Sequence, residues 1–156
     1  MVQGEKVTPE YDPDKHQANI DFLPYPGLRG YRFWDGGLNP TCIFGQITPR
    51  GQLVIFPNTL VGVNIGVSQL ITDYVKPTIK EYFKVIPEWF DIGDASMLNR
   101  EQSDSSTSAA MIINRELKTT FMAGATDWDT RRQGLKHCLT LKIDGYPFLQ
   151  ISQTEK

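Results

Sequence analysis

Two aspartates follow short apolar runs that read as strands: Asp35 after Tyr31-Arg32-Phe33-Trp34, and Asp94 after Trp89-Phe90-Asp91-Ile92-Gly93. In α/β sheets ligands collect where strands end and side chains converge. If these two strands lie side by side, the carboxylates face one another. Two close anions are costly alone and invite a hard divalent cation with oxygen ligands. A pair of such ions about 4 Å apart can hold a scissile phosphate, activate water and stabilise the leaving oxygen. Gly36 and Gly37 after Asp35 remove side chains where a substrate backbone would approach. The plainer alternative is that each aspartate only ends a strand or caps a turn. Asp91 is the weaker candidate, because it falls inside its strand and is free to point to the other face.

Basic groups that could meet phosphate are Arg29, Arg32, Arg100, Arg131, Arg132 and Lys136. Arg131 and Arg132 stand near a helix start, where a phosphate grip competes with a plain role as solvated surface charge. Asp104, Asp127 and Asp129 read as caps or turn residues. The chain contains no phosphate-binding glycine loop, dinucleotide fingerprint, nucleophile elbow or H-E-x-x-H zinc motif. Cys42 and Cys138 lie far apart in apolar contexts, as buried free thiols do. His16 and His137 have no catalytic-looking neighbour in sequence. A net charge of −2 gives no overall electrostatic footprint for nucleic acid, although it does not report local charge.

The elements that must position these groups follow from periodicity. Residues 1–30 are rich in proline, glycine and charge and read as an extended lead-in, with Tyr11, Phe22 and Tyr25 available to staple it to a domain. Residues 31–156 form the domain itself. Strands are expected over 31–35, 41–47 and 52–56, joined antiparallel through Thr48-Pro49-Arg50-Gly51. A helix over about 66–84 carries an apolar stripe of Val67, Leu70, Ile71, Tyr74, Val75, Ile79, Tyr82 and Phe83, and Pro77 should kink or split it. Then come a strand over 89–94, a polar loop over 99–107, a helix over 108–117 and a strand over 119–123. A helix follows from Asp127 to about Lys142, with Leu135, Cys138 and Leu139 facing inward, and Asp144-Gly145 turns into a last strand over 147–151. This order predicts an α/β fold: a mixed sheet of three antiparallel strands, then strands alternating with helices that pack on it. Neither a membrane span nor a signal peptide is visible, so the default compartment is the cytoplasm.

The succession Val7-Thr8-Pro9-Glu10-Tyr11-Asp12-Pro13-Asp14-Lys15-His16, then Tyr31-Arg32-Phe33-Trp34-Asp35-Gly36-Gly37-Leu38-Asn39-Pro40, resembles the entry to the nuclease domain of tailed-phage terminase large subunits. The likeness continues through Gly45-Gln46, Arg50-Gly51, Gly66 and Gly93-Asp94-Ala95 to Arg100, Gln102 and Asp104, then Arg131-Arg132 and Phe148-Leu149-Gln150-Ile151. Each piece alone is weak; their order and spacing together are moderately specific.

The resemblance implies a ribonuclease H-like fold and a metal-dependent endonuclease that cuts concatemeric double-stranded DNA during genome packaging in the bacterial cytoplasm. It implies Mg²⁺ or Mn²⁺ held by three acids in a two-metal site, with Asp35 matching the first acid and Asp94 the second. The family's third acid lies on a late helix that nothing in this sequence matches. The chain stops at Lys156, so the domain is expected to lack that helix. Pro57-Asn58 also departs from relatives that carry acids after the third strand. Partners implied are double-stranded DNA, an N-terminal packaging ATPase, the small terminase subunit and the portal, and no membrane. The competing expectation is a non-catalytic remnant or docking module that binds DNA or packaging proteins. An actin-like or sugar-kinase ATPase ranks low, because the chain is too short for two lobes.

Overall fold

A computed structural model describes residues 6–99 and 107–154. Arg100, Gln102 and Asp104 fall outside that range. One mixed sheet organises the molecule. Its strands are β1 (Gly30–Asp35), β2 (Thr41–Ile47), β3 (Leu53–Ile55), β4 (Leu60–Val61), β5 (Trp89–Gly93), β6 (Phe121–Ala123) and β9 (Leu149–Ile151). The order is β6-β5-β1-β2-β3-β9, with β4 added beside β2. β1, β2 and β3 pair antiparallel, as the opening hairpins predict, whereas β5 runs parallel to β1, β6 parallel to β5, and β9 parallel to β3. This is the mixed α/β sheet of a ribonuclease H-like fold, with helices packed on it.

The alternation of β-strand side chains decides which face is which. Trp34, Cys42, Phe44 and Val54 point into the core, where they meet Val67, Leu70, Ile71 and Val75 and, from the next helix, Ala110, Ile112 and Ile113. Phe44, Phe83 and Trp89 interlock there with ring centroids 5.0–5.6 Å apart, a spacing that rewards aromatic contact beyond area alone. The other face carries Tyr31, Phe33, Ile43 and Ile92, which are only half-buried.

The helix expected over 66–84 is built in three pieces: α2 (Val67–Leu70), a π-helical segment (Ile71–Val75) and α3 (Lys76–Tyr82). Pro77 has no N–H to give to the turn before it. The chain absorbs that loss with a wider turn, in which the Lys76 N–H reaches the Ile71 carbonyl. Val75 is fully buried, as the stripe predicts, while Tyr74 and Tyr82 are about half exposed, which corrects it. Ser108 caps α4 (Ala109–Leu117) through the Met111 N–H, and Lys118 ends it in a left-handed conformation.

α5 (Trp128–Thr140) stops two residues early, and a hairpin follows, β7 (Lys142–Ile143) with β8 (Tyr146–Pro147), around Asp144 and Gly145 at positive φ. Leu139 is buried, but Leu135 is 40% exposed, which corrects its expected inward orientation. The reason is that α5 packs on little apolar surface.

The lead-in holds a short helix, α1 (Pro13–His16), capped by Asp12. His16 is buried: its Nε2–H donates to the Leu139 carbonyl at 2.8 Å, leaving Nδ1 to accept the Asp12 N–H at 3.0 Å. Beyond α1 the chain runs parallel to β9, with Gln17 bridged to Ile151 and the Ala18 N–H on the Ile151 carbonyl. Phe22 packs against the core, and Tyr25 exchanges hydrogen bonds with the Gln46 amide. Both cysteines are free, Cys42 fully buried and Cys138 half-buried. No helix among the described residues is long and apolar enough to cross a membrane.

Candidate active site

Parallel pairing of β1 with β5 runs in register from Gly30 opposite Trp89 to Trp34 opposite Gly93. Asp35 and Asp94 are the next residues along these two runs, whose paired strands lie about 4.8 Å apart. Alternation puts both on the half-buried face, beyond Phe33 and Ile92. They line one cleft of about 390 Å³ with Thr41, Ile43, Gly124, Ala125 and Arg131.

Local sequence explains why the acids stop there. Gly37, at φ 95°, turns the chain out of β1. Gly93 lies so close to its neighbours that an added Cβ would fall 2.8 Å from the Trp34 carbonyl oxygen and 2.9 Å from the Phe121 ring. Only glycine lets β5 sit that close between β1 and β6, and this fixes where Asp94 begins. Asp94 then caps a 3-10 turn (Ala95–Leu98), accepting the Ser96 N–H at 2.7 Å.

The two carboxylates are not equivalent. Asp94 is held below the ordinary aspartate value, first by the Ser96 N–H, then by the Ser96 hydroxyl and the Arg131 guanidinium, which donates Nη2–H to Oδ2. The Asp35 side chain is exposed, and its carboxylate makes no hydrogen bond or ion pair with the described residues. Arg131 also donates from Nε to the Ala125 carbonyl at 2.6 Å, so its planar head is held from two sides.

The structure separates the two arginines that sequence had grouped. Arg131 reaches into the cleft. Arg132 turns toward the lead-in and donates Nη2–H to both Glu10 oxygens at 2.8 Å. Asp127 caps α5 through the Thr130 N–H at 2.8 Å.

Asp91 points to the core face and is fully buried. Arg32 grips it with two bonds of 2.7 Å, and the Trp34 indole N–H adds a third at 2.7 Å. Arg32 is therefore a structural counter-ion and not a phosphate contact. Sequence reasoning missed this pair, yet a signal existed: Arg32 and Asp91 each stand three residues before their strand-end aspartate. In-register parallel strands place such positions opposite one another.

Two adjacent carboxylates, one without a partner among the described residues, form an oxygen donor set that fits a hard divalent cation. Among the described residues no cluster of three His, Cys, Asp or Glu side chains exists. The donors at hand fit one ion better than two, and a guanidinium already occupies one oxygen of the pair.

With that geometry in place, comparison with solved structures is informative. The large terminase of a thermophilic bacteriophage superposes with a TM-score of 0.63 over 95% of this chain, at 13% identity. The same terminase bound to ATP-γ-S gives 0.62 at 11% identity, and bound to ADP 0.62 at 12%. This chain shares its fold with a phage large terminase. It spans about a third of that protein's length, 34%. No protein-family model matches the chain, and no curated protein sequence matches it.

Proposed function

We propose that this chain is the nuclease domain of a viral DNA-packaging terminase and that Asp35 and Asp94 bind Mg²⁺ or Mn²⁺ for hydrolysis of DNA phosphodiesters. The observation that carries this reading is the acid pair at the ends of two adjacent parallel strands, in one cleft with an arginine. The fold shared with a phage large terminase supports it. The nuclease part is favoured over the ATPase part, because the chain has no phosphate-binding glycine loop and its sheet opens with three antiparallel strands.

A cation bound there would supply positive charge to a phosphoryl oxygen and lower the pKa of a water molecule. The remaining work falls to the chain. Asp35, exposed and without a partner among the described residues, gives a carboxylate with no bond to those residues to break. Asp94 stays ionised because Ser96 and Arg131 hold its negative form. Gly36, Gly37 and Gly124 keep side chains away from an approaching DNA backbone. By the same reading the partners are double-stranded DNA, a packaging ATPase, the small terminase subunit and the portal, in a host cytoplasm.

Calorimetric titration with Mn²⁺ tests the proposal. Weak binding by the chain that disappears in Asp35→Asn and in Asp94→Asn is the expected result. Equal binding in all three proteins would remove both residues from any metal site.

The lack of a third acid beside the pair, among the described residues, favours a second reading, a non-catalytic module that docks on DNA or packaging proteins. Duplex binding that weakens steeply with salt, without metal binding or cleavage, is its signature.

A further inference from the structure

Arg131 is the one cation seated inside the cleft among the described residues. Its Nη2 group meets Asp94 Oδ2, while the Asp35 carboxylate beside it has no partner among the described residues. A guanidinium on that oxygen competes with a divalent ion for its lone pairs and opposes the ion's approach by like charge. The pair is also shallow, since the Arg131 and Asp94 side chains are 43% and 28% exposed, and exposed ion pairs are worth little. Arg131 thus offsets one of the two negative charges and is held weakly enough to leave. Its second bond, from Nε to the Ala125 carbonyl, keeps the head at the rim when Asp94 lets go.

We propose that Arg131 is the resident counter-cation of the Asp35–Asp94 cleft, that a divalent metal ion displaces it from Asp94, and that the freed guanidinium then takes a DNA phosphate. This rests on the metal-site reading above. In the empty cleft the arginine offsets one of two negative charges. In the loaded cleft it becomes a positioning residue, a planar two-donor fork suited to phosphate oxygens. Metal binding and phosphate binding are then linked through a single side chain, because the ion that occupies the acids also releases the DNA contact.

The experiment is Mn²⁺ calorimetry on the 156-residue chain with Arg131→Gln, Arg131→Lys and the control Arg132→Gln. Glutamine keeps an N–H donor for the Ala125 carbonyl and removes the guanidinium charge together with its bond to Asp94. The expected result is roughly fivefold tighter Mn²⁺ binding in Arg131→Gln, the scale of an exposed ion pair. Arg131→Lys should fall back toward the parent chain and Arg132→Gln should match it. Were Arg131 merely a structural brace of α5, glutamine would weaken binding, and that outcome or no change overturns the proposal while leaving the metal site standing. Absence of Mn²⁺ binding in every protein, Arg131→Gln included, overturns the metal site and this inference together. A second readout is the salt dependence of duplex DNA binding. With Mn²⁺ present the parent chain should show about one more phosphate contact in its slope than Arg131→Gln. Without the ion the two slopes should agree, and a difference there would mean that Arg131 already contacts phosphate while paired, against the proposal.

Discussion

Asp91 and Asp94 are the same side chain three residues apart on one strand run, and strand alternation sends them to opposite faces. Asp94 meets solvent, Ser96 and Arg131; Asp91 meets Arg32 and the Trp34 indole with no solvent at all. Removing one partner of such a buried pair leaves an uncompensated charge. Arg32→Met should therefore lose about 3–5 kcal/mol in urea unfolding, whereas replacing both with apolar residues should cost far less. An unchanged midpoint for Arg32→Met would mean that Asp91 has other means of compensation. Gly93 is as exacting in space as Arg32 is in charge. Gly93→Ala should destabilise by about 1–3 kcal/mol through overpacking against Trp34 and Phe121. It should also weaken any Mn²⁺ binding, because Asp94 shifts with the strand. Sequence made the strand-end acids legible through residue type and an adjacent glycine, Gly36 after Asp35 and Gly93 before Asp94. It hid the Arg32–Asp91 pair, because pairing across strands depends on a register that one sequence does not spell out.

At the scale of elements, the helices divide by what holds them. α2, the π-helical segment after it and α4 are held by apolar burial, which is why their periodicity was readable, while α3 adds only the partly buried Ile79. The departure at Tyr74 arose because Pro77 and the π-helical turn ahead of it change the count of residues per turn. α5 is held by polar contacts at each end: Arg131 to Asp94, Arg132 to Glu10, and the Leu139 carbonyl to His16. In hydrogen exchange the amides of α5 should open well before those of α4, and equal protection would argue against this division. The Glu10–Arg132 pair adds a pH dependence. Arg132 holds Glu10 below the ordinary glutamate value, so the stabilisation is complete above that value, about 4.3. It fades as pH falls through the lower folded-state value. The melting-temperature gap between the parent chain and Glu10→Gln should be widest near neutrality and close under strongly acidic conditions.

On the scale of the molecule, the sheet was the most legible feature. Three adjacent hairpin strands and later alternation with helices are local patterns that tertiary packing preserved. β4, the β7–β8 hairpin and α1 were missed, because two-residue strands and a four-residue helix carry no period to detect. A net charge of −2 hides the asymmetry of the cleft, where one arginine faces two acids. Adding salt should accordingly affect duplex binding through a few local contacts and not through the charge of the whole chain.

The lead-in and the last strand share one sheet edge. Gln17 and Ala18 are knit to Ile151, and the Gln153 N–H returns to Ile20. Tension applied to the two termini would enter the molecule at that seam and load its hydrogen bonds in shear, in parallel and not one by one. In the strand order, β9, β3 and β2 stand between that seam and β1. The sheet thereby acts as a mechanical fuse: a pull from a neighbouring domain would rip the outer edge before it moved Asp35 relative to Asp94.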